Sequence, residues 1–172
     1  MTATQHVEFL NYPDNERPLD LQWGVRIDGR DLRAHAADAT RGLWRQEIED
    51  EGPAEEERFL LAQHGGLSVS EIDDPVRHFL GAPAPSFADP AAGTTPVLGC
   101  SCGIWGCWPL LTVINGTPDA VTWSTFRQPF RKEWGELAIG PFTFDRRAYE
   151  ATLTEPTLLT SDPLRTLDET MP

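Results

Sequence analysis

The chain has 172 residues, of which 40% are hydrophobic and 24% charged, and its formal net charge at pH 7 is −13. This balance predicts one folded globular domain with a buried core and excludes intrinsic disorder as its general state. The acidic charge argues against nucleic acid as a partner, since phosphate binding depends on clustered Lys and Arg. No window approaches the roughly 18 apolar residues that a membrane span needs, so no membrane partner is expected.

Acidic residues are concentrated in the first half of the chain. Residues 1–89 carry 18 acidic and 8 basic side chains (net −10), against 9 and 6 (net −3) in residues 90–172. Seven of the acids lie in the run EIEDEGPAEEE at 47–57, whose simplest interpretation is a solvated helix end and loop. A basic protein partner would therefore meet this half. The N-terminal residues lack the basic and apolar regions of a signal peptide, and we expect a cytoplasmic protein.

Helices and one strand are predicted for the first half. After a mobile start, apolar residues alternate from Leu19 to Ile27, which indicates a half-buried strand. Asp31 is a suitable N-cap for a helix with one apolar stripe. A second helix begins near Pro53 and turns the side chains of residues 59–61 inward. Residues 28–80 are thus predicted to be rich in helix.

A β-rich second half follows a connector. Residues 81–96 contain four prolines and two glycines, a composition that sustains neither helix nor strand. Turn signals between apolar runs predict an antiparallel meander over 97–144. Asp145 then caps a short helix over 145–154, and residues 155–172 form an extended or disordered tail. We predict one domain over 1–154, with an α+β fold: an antiparallel sheet of four or five strands with helices packed on one face.

All three cysteines lie in the stretch GCSCGIWGCWP, residues 99–109. On a strand, Cys100 and Cys102 would point to the same face. A four-residue hairpin loop between Cys102 and Cys107 would place these two directly opposite each other, within the span of a disulfide. All three thiols could therefore converge on one side of the hairpin.

Four interpretations of this loop stay open. Small buried cysteines can simply fill a tight corner of an intracellular protein. Three thiolates suit zinc, with His6, His35, His64 or His78 as a fourth ligand, although the C-x-C-x4-C spacing differs from the usual paired knuckles. A reversible Cys102–Cys107 disulfide is the third interpretation. A catalytic cysteine is the fourth, but no partner motif accompanies it.

Tryptophans and a few cations near the loop form a candidate binding surface. Trp105 lies at the tip of the loop, and Trp108 and Trp123 could extend an aromatic patch around it, since aromatic anchors are common at binding hot spots. Arg127, Arg131 and Lys132 supply a local excess of positive charge that could hold a carboxylate or phosphate. The candidate binding residues are Trp105, Trp108, Trp123, Arg127 and Arg131.

Three segments of the second half resemble a family of small, uncharacterised bacterial proteins that is frequent in actinobacteria. They are the hairpin VLGCSCGIWGCWPLL, the residues Val121, Trp123 and Phe126, and the segment GPFTFDRRAYEATL. The resemblance covers about a third of the chain and implies no reaction, cofactor or catalytic residue.

The sequence favours a non-catalytic binding or interaction protein of unknown function without a cofactor. It would act through the tryptophans of the hairpin or through the acidic first half, and an acidic immunity-type inhibitor of a basic toxin fits the charge. The alternative is a cysteine-centred zinc-binding or thiol-redox protein that uses Cys100, Cys102 and Cys107.

Overall fold

The computed structural model describes residues 3–48, 53–87 and 93–164, which form an α+β fold with two five-stranded sheets. The strands in chain order are β1 (Val7–Pro13), β2 (Leu21–Ile27), β3 (Arg30–Asp31), β4 (His64–Gly65), β5 (Leu67–Ser68), β6 (Thr95–Cys100), β7 (Leu110–Gly116), β8 (Ala120–Arg127), β9 (Phe142–Asp145) and β10 (Thr157–Leu158). The helices are α1 (Leu32–Glu47), α2 (Pro53–Ala62), α3 (Pro75–His78) and α4 (Arg146–Thr154). Within those ranges, none of the helices combines the length and hydropathy required to cross a bilayer.

The second sheet is the antiparallel meander, in the order β4-β6-β7-β8-β9. Along its strand β8, partly exposed residues alternate with the buried residues Val121 and Trp123, whose side chains face the core. The α+β class and a five-stranded antiparallel sheet are therefore confirmed. The predicted helix after Asp145 is also confirmed, and the Asp145 carboxylate accepts a hydrogen bond from Ala148 N at 2.9 Å.

The first sheet contains a strand that we did not predict. Residues expected to be a mobile start form β1, which pairs with β2 along its whole length, and Phe9, Leu10 and Tyr12 are fully buried there. The strand signal was overlooked because the apolar residues of VEFLNY do not alternate strictly. The predicted strand over 19–27 is shorter than expected, since Leu19 is 100% exposed and β2 begins at Leu21.

An aromatic core joins the two sheets and two of the helices. Phe9 of β1 lies 4.9 Å from Phe79 and 5.3 Å from Tyr149 of α4, as measured between ring centroids. Trp123 of β8 donates from Nε1 to the Tyr149 hydroxyl at 2.9 Å, and that hydroxyl donates to the Phe79 carbonyl. The Trp123 indole N–H and the Tyr149 hydroxyl are thus both hydrogen bonded, as burial requires.

Residues 155–164 of the predicted tail contain the short strand β10, which attaches the tail to the first sheet, and residues 163 and 164 are helical. β10 runs parallel to β1. Beyond it, Asp162 accepts two hydrogen bonds from the buried Arg33 guanidinium, at 2.9 and 3.0 Å, and Asp31 accepts two more. Residues 165–172 of the tail, 88–92 of the connector and 49–52 of the acidic run lie outside the described residues.

We expect the substitution Tyr149→Phe to lower the free energy of unfolding by about 2 kcal/mol, because it leaves Trp123 Nε1 and the Phe79 carbonyl without a partner in the core. Urea unfolding measures this change. Tyr12→Phe is the matched control. The Tyr12 hydroxyl is equally buried, but it has no hydrogen-bond partner among the described residues, and the nearby Gly66 N–H donates to Gln22. An equal loss of stability in both variants would contradict this account of the core.

Candidate functional site

The structure separates the five candidate binding residues. Trp123 is fully buried in the core and cannot contact a partner of the folded protein, which corrects its place in the predicted patch. Trp105 is partly buried, with its ring 5.1 Å from that of Phe87. Arg127 is exposed at the end of β8. Only Trp108 and Arg131 come together at one site.

Trp108 and Arg131 belong to a cluster that we call the aromatic cage, formed by Trp44, Trp108 and Trp134 around the Arg131 guanidinium. The carbon at the centre of the guanidinium lies 5.4 Å from the ring centroid of Trp44, 5.1 Å from that of Trp108 and 5.8 Å from that of Trp134. The Trp134 ring stands at 84° and 85° to the rings of Trp44 and Trp108. Three indole faces thus surround one cation.

Three parts of the chain distant in sequence build the aromatic cage. Trp44 lies in the last turns of α1, Trp108 follows the cysteine loop, and Trp134 ends a short 3-10 turn after β8. Arg131 directly precedes this turn, and the Trp134 N–H donates to the Arg131 carbonyl at 3.0 Å. The acidic helical half and the hairpin half therefore meet at this surface.

Two buried glutamines hold the walls of the aromatic cage. Gln63 Oε1 accepts hydrogen bonds from Trp44 Nε1 at 3.1 Å and from Trp108 Nε1 at 3.2 Å, while Gln63 Nε2 donates to Thr40 Oγ1 at 2.9 Å. Gln128 Nε2 donates to the Pro109 carbonyl at 3.0 Å, and Gln128 Oε1 accepts from Phe130 N at 2.8 Å. Because buried amides need such partners, the Gln63 contacts fix the indoles of Trp44 and Trp108, and the Gln128 contacts fix the backbone beside the aromatic cage.

The Arg131 side chain is held by electrostatic contacts that are each modest. Its Nε donates to both carboxylate oxygens of Glu47, at 3.1 and 3.2 Å, and about 30% of the Arg131 side chain is exposed. A salt bridge of this kind contributes about 0–1 kcal/mol, and each cation–π contact at a partly exposed site about 0.5–1 kcal/mol. The side chain is therefore ordered at the surface but is not locked in place by burial.

Two further aromatic side chains extend the aromatic cage into a larger aromatic patch. Phe59 of α2 lies 5.0 Å from Trp44, and Phe130 stacks on Trp108 at 6.4 Å with an interplanar angle of 15°. Phe130 is 55% exposed and Phe59 is 36% exposed. The prediction that residues 59–61 all face inward is wrong for Phe59, because only Leu60 is fully buried and Phe59 turns toward Trp44.

Sequence reasoning missed Trp44, Trp134 and Gln63 as parts of this site. Trp44 fits the apolar stripe of α1, and nothing near Gln63 in the sequence indicates that its amide accepts from two indoles. One local signal was present in FRQPFRKEW, residues 126–134, where Arg131 lies between Phe130 and Trp134. A cation flanked by aromatic residues is a pattern that favours cation–π contact.

The cysteine loop differs from its predicted geometry. Leu98 and Leu110 are the pair of β6 and β7 nearest the loop, so Cys102 and Cys107 are not opposed across strands. Two tight turns fill the connection, closed by hydrogen bonds from Gly103 N to the Cys100 carbonyl and from Cys107 N to the Ile104 carbonyl. Gly103 adopts φ +93°, which glycine allows without strain, and Pro109 has no N–H to extend the ladder.

The three thiols nevertheless interact with one another. A hydrogen bond with the Ile104 backbone lowers the pKa of the Cys102 thiol, and the neighbouring thiols lower it further. Burial raises the pKa of Cys100, whereas the hydrogen bond and charge of Cys102 raise the pKa of Cys107. All three are free, and Cys102 and Cys107 are exposed.

His64 fastens the hairpin to the helical half. It lies opposite Cys100 in the pairing of β4 with β6, and its Nδ1 lies 3.2 Å from the Gly99 carbonyl and 3.0 Å from the Trp108 carbonyl. Two carbonyl acceptors assign the proton to Nδ1. Burial lowers the pKa of His64 to about 4, against the opposing effect of these hydrogen bonds. The neutral His64 side chain thus links the backbone at Gly99 to the backbone at Trp108.

Within the described residues, no group of three or more His, Cys, Asp or Glu side chains has the geometry to hold a metal ion. Of the four histidines considered as a fourth ligand, His64 is the one opposite a cysteine, and its Nδ1 is engaged by carbonyls. The zinc alternative stays a prediction.

No protein-family model matches the chain, and no curated protein or solved structure matches it either. The resemblance to the uncharacterised bacterial family likewise stays a prediction.

We expect iodoacetamide to alkylate Cys102 before the other two cysteines, because only the thiolate reacts and Cys102 is the exposed thiol with the lowered pKa. Mass spectrometry after short reaction times locates the adduct. Cys107 is the internal control, since it is equally accessible but its pKa is raised. Faster modification of Cys107 would contradict the assigned order.

Acid should destabilise the protein through His64. Its pKa rises from about 4 in the folded state to about 6.5 on unfolding, so the unfolded state binds more protons between these values and stability falls as pH falls through this window. The full effect is about 3 kcal/mol. In His64→Asn the amide can still donate to the two carbonyls, and the free energy of unfolding should decrease less between pH 7 and pH 5, as measured by urea unfolding. A decrease equal to that of the unsubstituted protein would refute this role of His64.

Proposed function

We propose that this protein is a non-catalytic binding protein that captures a basic protein partner through the aromatic patch. The observation that carries the proposal is one surface patch of five aromatic side chains, in which three indoles surround Arg131 and two phenyl rings pack against these indoles. Tryptophan and arginine are the residues most enriched at binding hot spots.

The construction of the aromatic patch supports a binding role. The indoles of Trp44 and Trp108 are positioned by the buried Gln63, so the surface is ordered before a partner arrives. A preorganised aromatic surface loses little conformational entropy on binding. Phe130, the most exposed of the five, lies at the rim, where an incoming chain can cover it.

Charge supports a basic partner. The support comes from the net charge, because the glutamates nearest the aromatic patch, Glu47, Glu56 and Glu57, are already paired with arginines of this chain. The chain as a whole carries −13, which attracts a basic protein at long range. Inhibition of a basic toxin by an immunity-type protein is one role of this kind, and the free cysteines fit the reducing cytoplasm in which we place it.

The thiol-redox alternative keeps one supporting observation, which is the interaction of Cys102 with both other thiols. A thiol count and elemental analysis of protein purified without chelator separate the two proposals. Three free thiols without metal would remove the cysteine-centred alternative, whereas stoichiometric zinc or a disulfide would support it.

The patch variant Phe130→Ala tests the proposed function. Immobilised protein is exposed to a lysate of the organism that carries the gene, and each retained protein is purified and titrated against the wild type and the variant. We expect about tenfold weaker binding by the variant, because an exposed aromatic anchor at an interface contributes at least about 1.4 kcal/mol.

Leu158→Ala is the matched control, since Leu158 is a similarly exposed apolar side chain on β10, outside the aromatic patch. Partner affinity should be unchanged in this variant. If every partner binds Phe130→Ala as tightly as it binds the wild type, the proposed surface is wrong.

A further inference from the structure

We propose that the aromatic cage is a binding site for an arginine side chain of the partner and that Arg131 is an internal occupant which this arginine displaces. The inference rests on the proposed function and adds the chemical group that the surface recognises. It follows from the geometry of three rings and one carboxylate around a guanidinium.

The aromatic cage has the dimensions of a guanidinium site. The Arg131 guanidinium carbon is 5.1 to 5.8 Å from all three indole centroids, within the ~6 Å over which a ring face attracts a cation. Guanidinium is planar and weakly hydrated, so it stacks on aromatic faces more readily than ammonium does. Arginine is therefore favoured over lysine.

Glu47 makes the aromatic cage selective for charge as well as shape. Its two carboxylate oxygens accept from Arg131 Nε at 3.1 and 3.2 Å. A neutral side chain of the same shape would leave the Glu47 carboxylate without a cation. Such a ligand should therefore bind more weakly than a guanidinium, which forms a charge-assisted hydrogen bond with this carboxylate. An incoming arginine would take over the contact that Arg131 releases.

The walls of the aromatic cage do not depend on the side chain that fills it. Gln63 positions Trp44 and Trp108, and the backbone N–H of Trp134 is bonded to the Arg131 carbonyl, which any residue at 131 retains. The Arg131 N–H likewise donates to the Gln128 carbonyl. The Arg131 side chain can therefore leave while its backbone and the three indoles stay in place.

The Arg131 side chain also has few contacts that would prevent its departure. Among the described residues, its contacts apart from the three rings and Glu47 are limited to one hydrogen bond, from Nη1 to the Phe130 carbonyl at 3.0 Å. About 30% of the side chain is exposed, so water can replace these contacts when it swings out. An internal occupant of this kind lowers the apparent affinity for an external arginine by the fraction of time that the cage is filled.

The test uses N-acetyl-arginine amide as the probe and the indole N–H signals of Trp44 and Trp108 in ¹H–¹⁵N NMR spectra as the readout. In Arg131→Ala the cage is empty, and we expect the probe to bind this variant about tenfold more tightly than the wild type. This factor corresponds to a wild-type cage that Arg131 fills about 90% of the time. N-acetyl-citrulline amide, which has the same shape without the charge, should show no such gain.

Two further variants make the result decisive. Arg127→Ala removes the same charge from an exposed position outside the cage and should bind the probe as the wild type does. Arg131→Gln keeps a long neutral side chain against the rings, and it should also bind the probe more tightly than the wild type. If Arg131→Ala loses its fold, Arg131→Gln decides the question by the same comparison.

The proposal is overturned if the folded Arg131 variants bind the probe no more tightly than the wild type or Arg127→Ala, or if citrulline amide gains as much as arginine amide. Failure here is distinguishable from failure of the proposed function. If Phe130→Ala weakens partner binding but Arg131→Ala does not bind the probe more tightly, the aromatic patch is a binding surface that does not recognise arginine. If Arg131→Ala binds the probe more tightly but no partner binds Phe130→Ala more weakly than the wild type, the aromatic cage is a cation site and the proposed partner surface is wrong.

Discussion

The candidate site depends on one buried amide, the side chain of Gln63. Its oxygen accepts hydrogen bonds from the indoles of Trp44 and Trp108, and its nitrogen donates to Thr40. These partners belong to α1 and to the segment after the cysteine loop, so a single side chain joins the helical half to the hairpin half. Because an unsatisfied buried amide is costly, the two halves are held in the one relative position that satisfies it.

The cysteine loop supports this site without being its chemical centre. His64 holds the carbonyls of Gly99 and Trp108, on the two sides of the loop, and thereby places Trp108 against Trp44. A Cβ at Gly99 would approach Trp105 Cα to 2.9 Å, which explains why glycine is needed where the loop folds back. The cysteines occupy the exposed side of this construction, where Cys102 and Cys107 remain accessible to reagents.

The sequence predicted correctly the helix starts that depend on residues close together in the chain. The caps at Asp31 and Asp145 follow from side-chain hydrogen bonds within a few residues. By contrast, β1 is a strand because β2 and β10 pair with it, and the β10 contact joins residues about 150 positions apart. The aromatic cage has the same origin: Trp44, Trp108 and Trp134 carry no common local signal, and only the tertiary fold brings them to Arg131. For the same reason, Trp123 could not be separated from Trp108 by sequence, although one is core and the other is surface.

Three indole rings enclose the Arg131 guanidinium, and the ¹H NMR chemical shifts of the Arg131 side-chain protons in the unsubstituted protein report this enclosure in solution, because ring currents move protons above an aromatic face upfield. We expect the Arg131 δ-methylene protons to resonate well upfield of those of the exposed Arg127. Arg131 shifts equal to those of Arg127 would show that the guanidinium lies outside the rings, and the aromatic cage would then be wrong.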